Sequence, residues 1–250
     1  MRAGGIKWHV QTMGAGPQLL LLHGTGAATH SMAGLMPILA QHYQVIVPDL
    51  PGHGFTDTPN GYGLSLPGMA TLIQQLLAQL GHWPIAIIGH SAGAAIGAQM
   101  LLSGTKNVRH LVAMNGAFQP FEGLAAHVFP IAAKLFALNP LTILALAGNG
   151  GKLERVRKLL DSTGSHVDEA TLSHYAQLFG TSGHVNGVMG MMARWELHKL
   201  VPLLPDLATP MTLMVGAGDK MVSPTVSKAS RSSRAPSPFG RAARFGAFDA

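Results

Sequence analysis

The residues with the clearest capacity for chemistry lie in Gly89-His90-Ser91-Ala92-Gly93, a G-x-S-x-G pattern set between the apolar run Ile85–Ile88 and a helix-compatible run that starts at Ala92. This spacing suits a serine nucleophile on a strained strand-to-helix turn. Glycines two places either side let strand and helix approach closely, and the turn pushes the Ser91 hydroxyl out beyond the strand end. Two further segments fall where such a serine needs help. His23-Gly24-Thr25-Gly26 follows Leu19–Leu22. A glycine-permitted turn there can aim the Thr25 N–H at the same point as the Ala92 N–H, giving the two donors of an oxyanion hole; the alternative is an ordinary strand-to-loop turn. Asp219, in Gly216-Ala217-Gly218-Asp219 after the apolar run Met211–Val215, stands where a carboxylate can orient a histidine, or else caps a loop.

Positioning these groups requires a parallel sheet, and the pattern of the chain predicts one. Candidate strands are Ile6–Met13, Gln18–Leu22, Gln44–Pro48, Ile85–Gly89, Val108–Met114 and Met211–Val215, alternating with helical windows such as Met69–Leu80 and Ala92–Leu102. Leu19–Leu22, Val45–Val47 and Ile85–Ile88 are continuously apolar, and Met211–Val215 is apolar but for Thr212, the mark expected of strands covered on both faces. Residues 117–200 break this rhythm and predict an inserted helical subdomain, with helices at Leu124–Leu138, Leu153–Leu160, Glu169–Phe179 and His184–Trp195. Within the last, Val188, Met191, Met192 and Trp195 form a stripe that suits core packing better than ligand contact.

Composition limits the functional classes. The 250 residues are 47% hydrophobic and 11% charged and contain no cysteine, which fits one domain with a large core and excludes disulfide staples and thiolate-ligated metals. The net charge of +6 is unevenly distributed. Lys228, Arg231, Arg234, Arg241 and Arg244 face one acid, Asp249, after Ser223, so the body is nearly neutral and presents no basic groove for nucleic acid. Neither a G-x-G-x-x-G dinucleotide loop nor an H-E-x-x-H metal pair occurs, so no cofactor and no metal is expected. The N-terminus lacks an export-type apolar run, and Leu135–Ala147 is too short to span a bilayer, so a cytoplasmic protein with at most peripheral membrane contact is expected.

Taken in order, His23-Gly24, Asp49-Leu50-Pro51-Gly52-His53-Gly54, Gly89-His90-Ser91-Ala92-Gly93 and Gly216-Ala217-Gly218-Asp219 closely resemble the α/β-hydrolase fold family over residues 6 to about 222. The resemblance implies a mostly parallel sheet flanked by helices, a core of residues 1–116 and 201–222, a helical cap at 117–200, and a Ser–Asp–His triad with Ser91 as nucleophile and Asp219 as acid. More narrowly, the stretch from His23 to Ser31, Asn115-Gly116-Ala117 with Pro120-Phe121, Leu138-Asn139-Pro140, Ser162 to Ser165 and Gly190-Met191-Met192-Ala193 look like the magnesium-chelatase accessory family of bacteriochlorophyll synthesis. This implies a small apolar ligand, a porphyrin intermediate, and magnesium chelatase as partner, with Phe118–Phe136 and Met189–Trp195 walling the pocket. The alternative is a serine hydrolase acting on a small or medium apolar ester.

One departure stands out. The family's triad histidine follows the acid, whereas the last histidine here is His198, ahead of Asp219. Without a base, Ser91 is an unactivated alcohol. Residues 223–250, rich in Ser, Arg, Ala, Pro and Gly, are expected to be a disordered, non-native tail. Either a changed reading frame or truncation has removed the final strand, catalytic loop and helix, which is the favoured account, or the protein is a pseudo-hydrolase that binds without cleaving. Loss of that strand would expose the edge of Met211–Val215.

Overall fold

The computed structural model describes residues 1–118, 143–144, 147–149, 151–162 and 167–216. A short hairpin, β1 (Arg2–Ala3) and β2 (Ile6–Lys7), precedes a six-stranded sheet of β3 (Val10–Met13), β4 (Gln18–Leu22), β5 (Gln44–Pro48), β6 (Ala86–His90), β7 (His110–Met114) and β8 (Met211–Met214) in the order β3-β5-β4-β6-β7-β8. Only β3 is antiparallel to its neighbour; every other pairing in this sheet is parallel. The expected strand Ile6–Met13 is thus two strands, because the chain leaves the hairpin at Trp8, whose buried indole Nε1–H donates to the Ala3 carbonyl at 3.0 Å, before it reaches the main sheet.

The central strands show why an unbroken apolar run reads as a doubly covered strand. Leu20, Leu22, Ile46 and Ile87 pack on the face covered by α2 (Leu66–Leu80) and α3 (Ala92–Leu102), while Leu19, Leu21, Val45 and Val47 pack on the other with Met32 and Met36. The Ser65 hydroxyl caps α2 by accepting from the Gly68 N–H at 3.2 Å, and Gly81 ends it in the left-handed region. By contrast α3 has no polar face to show. Ala92 to Ala98 are all buried, since this helix lies between the sheet and α2.

β8 departs from expectation. It alternates half-buried Met211 and Leu213 with exposed Thr212 and Met214, so it is not covered on both faces as its sequence suggested. Its position explains this: it pairs with β7 on one side and is the last strand in order among the described residues.

Between β7 and β8 lie α4 (Leu153–Ser162), α5 (Glu169–Phe179), α6 (Ser182–Met192) and α7 (Leu197–Leu200). The expected helix Leu124–Leu138 lies outside the described residues, as do Asp219 and the segment 223–250. The methionine stripe of α6 is core: Val188 and Met191 are buried, and Met191 and Trp195 join the main cluster. No helix among the described residues is long and apolar enough to cross a membrane.

Candidate functional site

The direction in which successive strands are added reverses at β4, which has β5 on one side and β6 on the other. In parallel sheets this switch point leaves a crevice at the carboxyl ends of the strands. Leu22 is in register with Gly89, so the segments that follow, His23-Gly24 and His90-Ser91, emerge side by side.

Ser91 has φ 50° and ψ −115°, a conformation strained for an L residue, and its N–H donates to the Met114 carbonyl at 2.9 Å. Its two glycines are required by close approach. A Cβ on Gly89 would lie 2.5 Å from Ala94 Cα, and one on Gly93 would lie 2.7 Å from the His23 carbonyl oxygen. The loop after β4 reaches the serine, since a Cβ on Gly24 would lie 3.1 Å from Ser91 Cβ. Gly24 and Ala27 close a turn through a 3.2 Å hydrogen bond, with exposed Thr25 and left-handed Gly26 at its centre. Ala92, 2% exposed, begins α3, and its N–H belongs to the first turn, which has no partner within the helix.

Around this turn the structure gathers histidines. His23 is wholly buried; its Nε2 accepts from the Leu50 N–H at 2.9 Å, which leaves the proton on Nδ1 to donate to the Gly24 carbonyl at 2.8 Å. His53 donates from Nδ1 to the Pro51 carbonyl at 3.1 Å, and its buried Nε2 has no hydrogen-bond partner among the described residues. On α6, His184 accepts the Gly54 N–H on Nδ1 at 3.0 Å and donates from Nε2 to the Gly26 carbonyl at 3.2 Å. The rings of His23 and His184 each lie 5.5 Å from that of His53. Burial pushes all three down to about 3, with neighbouring imidazoles adding repulsion, so all are neutral near pH 7.

Beneath them sits Asp49, also wholly buried. Its oxygens accept from the Thr29 N–H at 2.7 Å and the Phe55 N–H at 2.9 Å, and Oδ2 lies 2.9 Å from His9 Nδ1. One carboxylate thereby ties the segment that follows the Gly24–Ala27 turn to the loop that carries His53. On the cap side, Tyr175 meets His30 edge to face at 4.6 Å, and Phe179 approaches both Gly26 and His184.

The sequence therefore located Ser91, Ala92 and Thr25 at neighbouring turns, and the structure brings their segments together. It did not single out His184, more than 90 residues from Ser91, or the anchoring work of Asp49. It named Asn115 as a motif residue but not its role: left-handed at φ 44°, its Oδ1 accepts from the Gly216 N–H at 2.8 Å and steers the chain after β8. No cluster able to hold a metal ion occurs among the described residues.

The family description for the alpha/beta hydrolase fold matches residues 17–242. A magnesium-chelatase 30 kDa subunit of Rhodobacter capsulatus is 42% identical over 228 residues, covering 90% of this chain and 80% of that protein. The chain belongs to the α/β-hydrolase fold family and, within it, to the family of that subunit. A 2-hydroxy-6-oxo-2,4-heptadienoate hydrolase of Pseudomonas putida is 32% identical, but over only 48% of this chain and 45% of its own length. Among solved structures, the epoxide hydrolase CorEH without ligand aligns with a TM-score of 0.74 at 21% identity, covering 86% of this chain and 80% of its own. A thermophilic esterase from Thermogutta terrifontis aligns at 0.72 and 20%, covering 92% and 83%. At such identities these two show the shared fold alone.

Proposed function

We propose that this protein acts beside magnesium insertion as a binding component, holding a porphyrin by a carboxylate at the backbone N–H groups of Thr25 and Ala92. It associates with magnesium chelatase in that role. The observation that supports the reading is the approach of the Gly24 turn to Ser91 at the start of α3, beside histidines unsuited to act as bases. The turn at Gly24 contacts Ser91, while His23 and His184 have both ring nitrogens engaged and all three buried imidazoles are pushed to about 3. In this reading the donors are the Thr25 N–H in its turn and the Ala92 N–H in the first turn of α3, and such backbone groups favour a carboxylate as readily as a reaction's oxyanion. The 42% identity to the magnesium-chelatase subunit supports the association with chelatase, and a porphyrin as the ligand is inferred from that association.

Titration of the protein with protoporphyrin, read by tryptophan fluorescence, is expected to saturate at micromolar ligand. The dimethyl ester, which lacks the carboxylates, is expected to bind about tenfold more weakly or worse, the ordinary range for a lost charged hydrogen bond. No binding at micromolar ligand, or equal affinity for diacid and ester, would overturn the reading.

The strained elbow supports a second reading, cleavage of a small or medium apolar ester through Ser91, with Asp219 as its acid. Turnover of p-nitrophenyl butyrate at ordinary enzyme rates, abolished by Ser91→Ala, would establish it.

A further inference from the structure

His184, on α6, joins the Gly54 loop to the Gly26 turn beside Ser91, accepting from the Gly54 N–H and donating to the Gly26 carbonyl. It is 1% exposed, and α6 is seated by backbone contact: a Cβ on Gly52 would lie 2.8 Å from Gly187 Cα. The turn it grips is held at its other end by His23, whose Nδ1–H and the Ala27 N–H both donate to the Gly24 carbonyl. The Thr25 N–H thus projects from a turn fixed on one side by the core and on the other by the cap.

We propose that His184 is a positioning residue that makes the cap helix part of the anion-binding turn, so that the Thr25 N–H is correctly aimed only while α6 is docked. The proposal rests on the binding reading above for its functional consequence, but not for the geometry itself. A side chain that only filled space could be replaced by leucine. One that accepts from Gly54 and donates to Gly26 at once can be replaced only by a group with both capacities, such as the glutamine amide.

Hydrogen exchange followed by mass spectrometry on full-length protein distinguishes these cases. His184→Leu is expected to speed exchange in the peptides covering residues 24–28 and 52–56 by about tenfold or more while strands β4 and β6 keep their protection, and His184→Gln is expected to restore most of it. Unchanged exchange in residues 24–28, or equal behaviour of Leu and Gln variants, would overturn the proposal. Should His184→Leu fail to fold, ring-nitrogen NMR of the unmutated protein decides: His184 is expected as the Nε2–H tautomer, His23 and His53 as Nδ1–H. An Nδ1–H tautomer for His184 would exclude the arrangement. With protoporphyrin as probe, His184→Leu is expected to lose the preference for diacid over dimethyl ester, a selectivity that generic loss of stability does not remove. If unmutated protein binds neither porphyrin, the binding reading falls, while exchange and tautomer still decide the role of His184.

Discussion

Acid should unfold this protein through its buried histidines. His23, His53 and His184 have an ordinary value of 6.5 and sit near 3 in the fold, chiefly because burial disfavours the imidazolium. Between those values the unfolded chain binds protons that the folded chain refuses. Their contribution is therefore full above 6.5, falls as pH drops toward 3, and levels off below it. From about pH 7.5 to about pH 5 each group costs about 2 kcal/mol, and the three together about 6 kcal/mol. That is comparable to the roughly 5–15 kcal/mol net stability of a typical domain. Urea unfolding followed by circular dichroism at both pH values should show the midpoint falling steeply. His53→Leu removes one titrating group and should shrink the pH-dependent difference by about a third, whatever it does to stability at neutral pH. A midpoint unchanged between the two conditions, or higher in acid, would refute the claim that these imidazoles are buried and neutral.

Other substitutions test the frame around Ser91. Ser91→Gly should relieve the φ 50° strain and raise stability by about 1 kcal/mol in chemical denaturation, a rare gain at the expense of the hydroxyl. Gly89→Ala places a methyl against Ala94 Cα and should cost about 3 kcal/mol or prevent folding, seen as loss of soluble protein or a lowered Tm. Asp49→Ala leaves the Thr29 and Phe55 N–H groups without their acceptor and should destabilise by about 3 kcal/mol, with exchange at those amides rising first.

Much of the fold is legible in the sequence because its signals are local. An unbroken run such as Leu19–Leu22 can only be a doubly covered strand or a buried helix turn, and its short length with His23-Gly24 behind it decides between them. The G-x-S-x-G pattern located the elbow for the same reason: the close approach that demands Gly89 lies within five residues, although the one that demands Gly93 is to the His23 carbonyl on the neighbouring segment. Met211–Val215 misled because a mostly apolar run, broken only by Thr212, reports composition, not which neighbours lie beside the strand. His184 was invisible because its partners, Gly26 and Gly54, are brought near by cap packing alone, and no spacing rule links a helix histidine to two glycine loops more than 100 residues away. Asp49 was noticed as a motif member, yet the backbone donors it gathers appear only once β5 and the turn at Thr29 are folded together.

The most direct measurement is a crystal structure of the protein with protoporphyrin bound. One carboxylate of the ligand should lie within about 3 Å of both the Thr25 and Ala92 backbone nitrogens, with the macrocycle extending toward Tyr175 and Phe179 on the cap. A porphyrin seated elsewhere, with neither carboxylate at those N–H groups, would contradict the account.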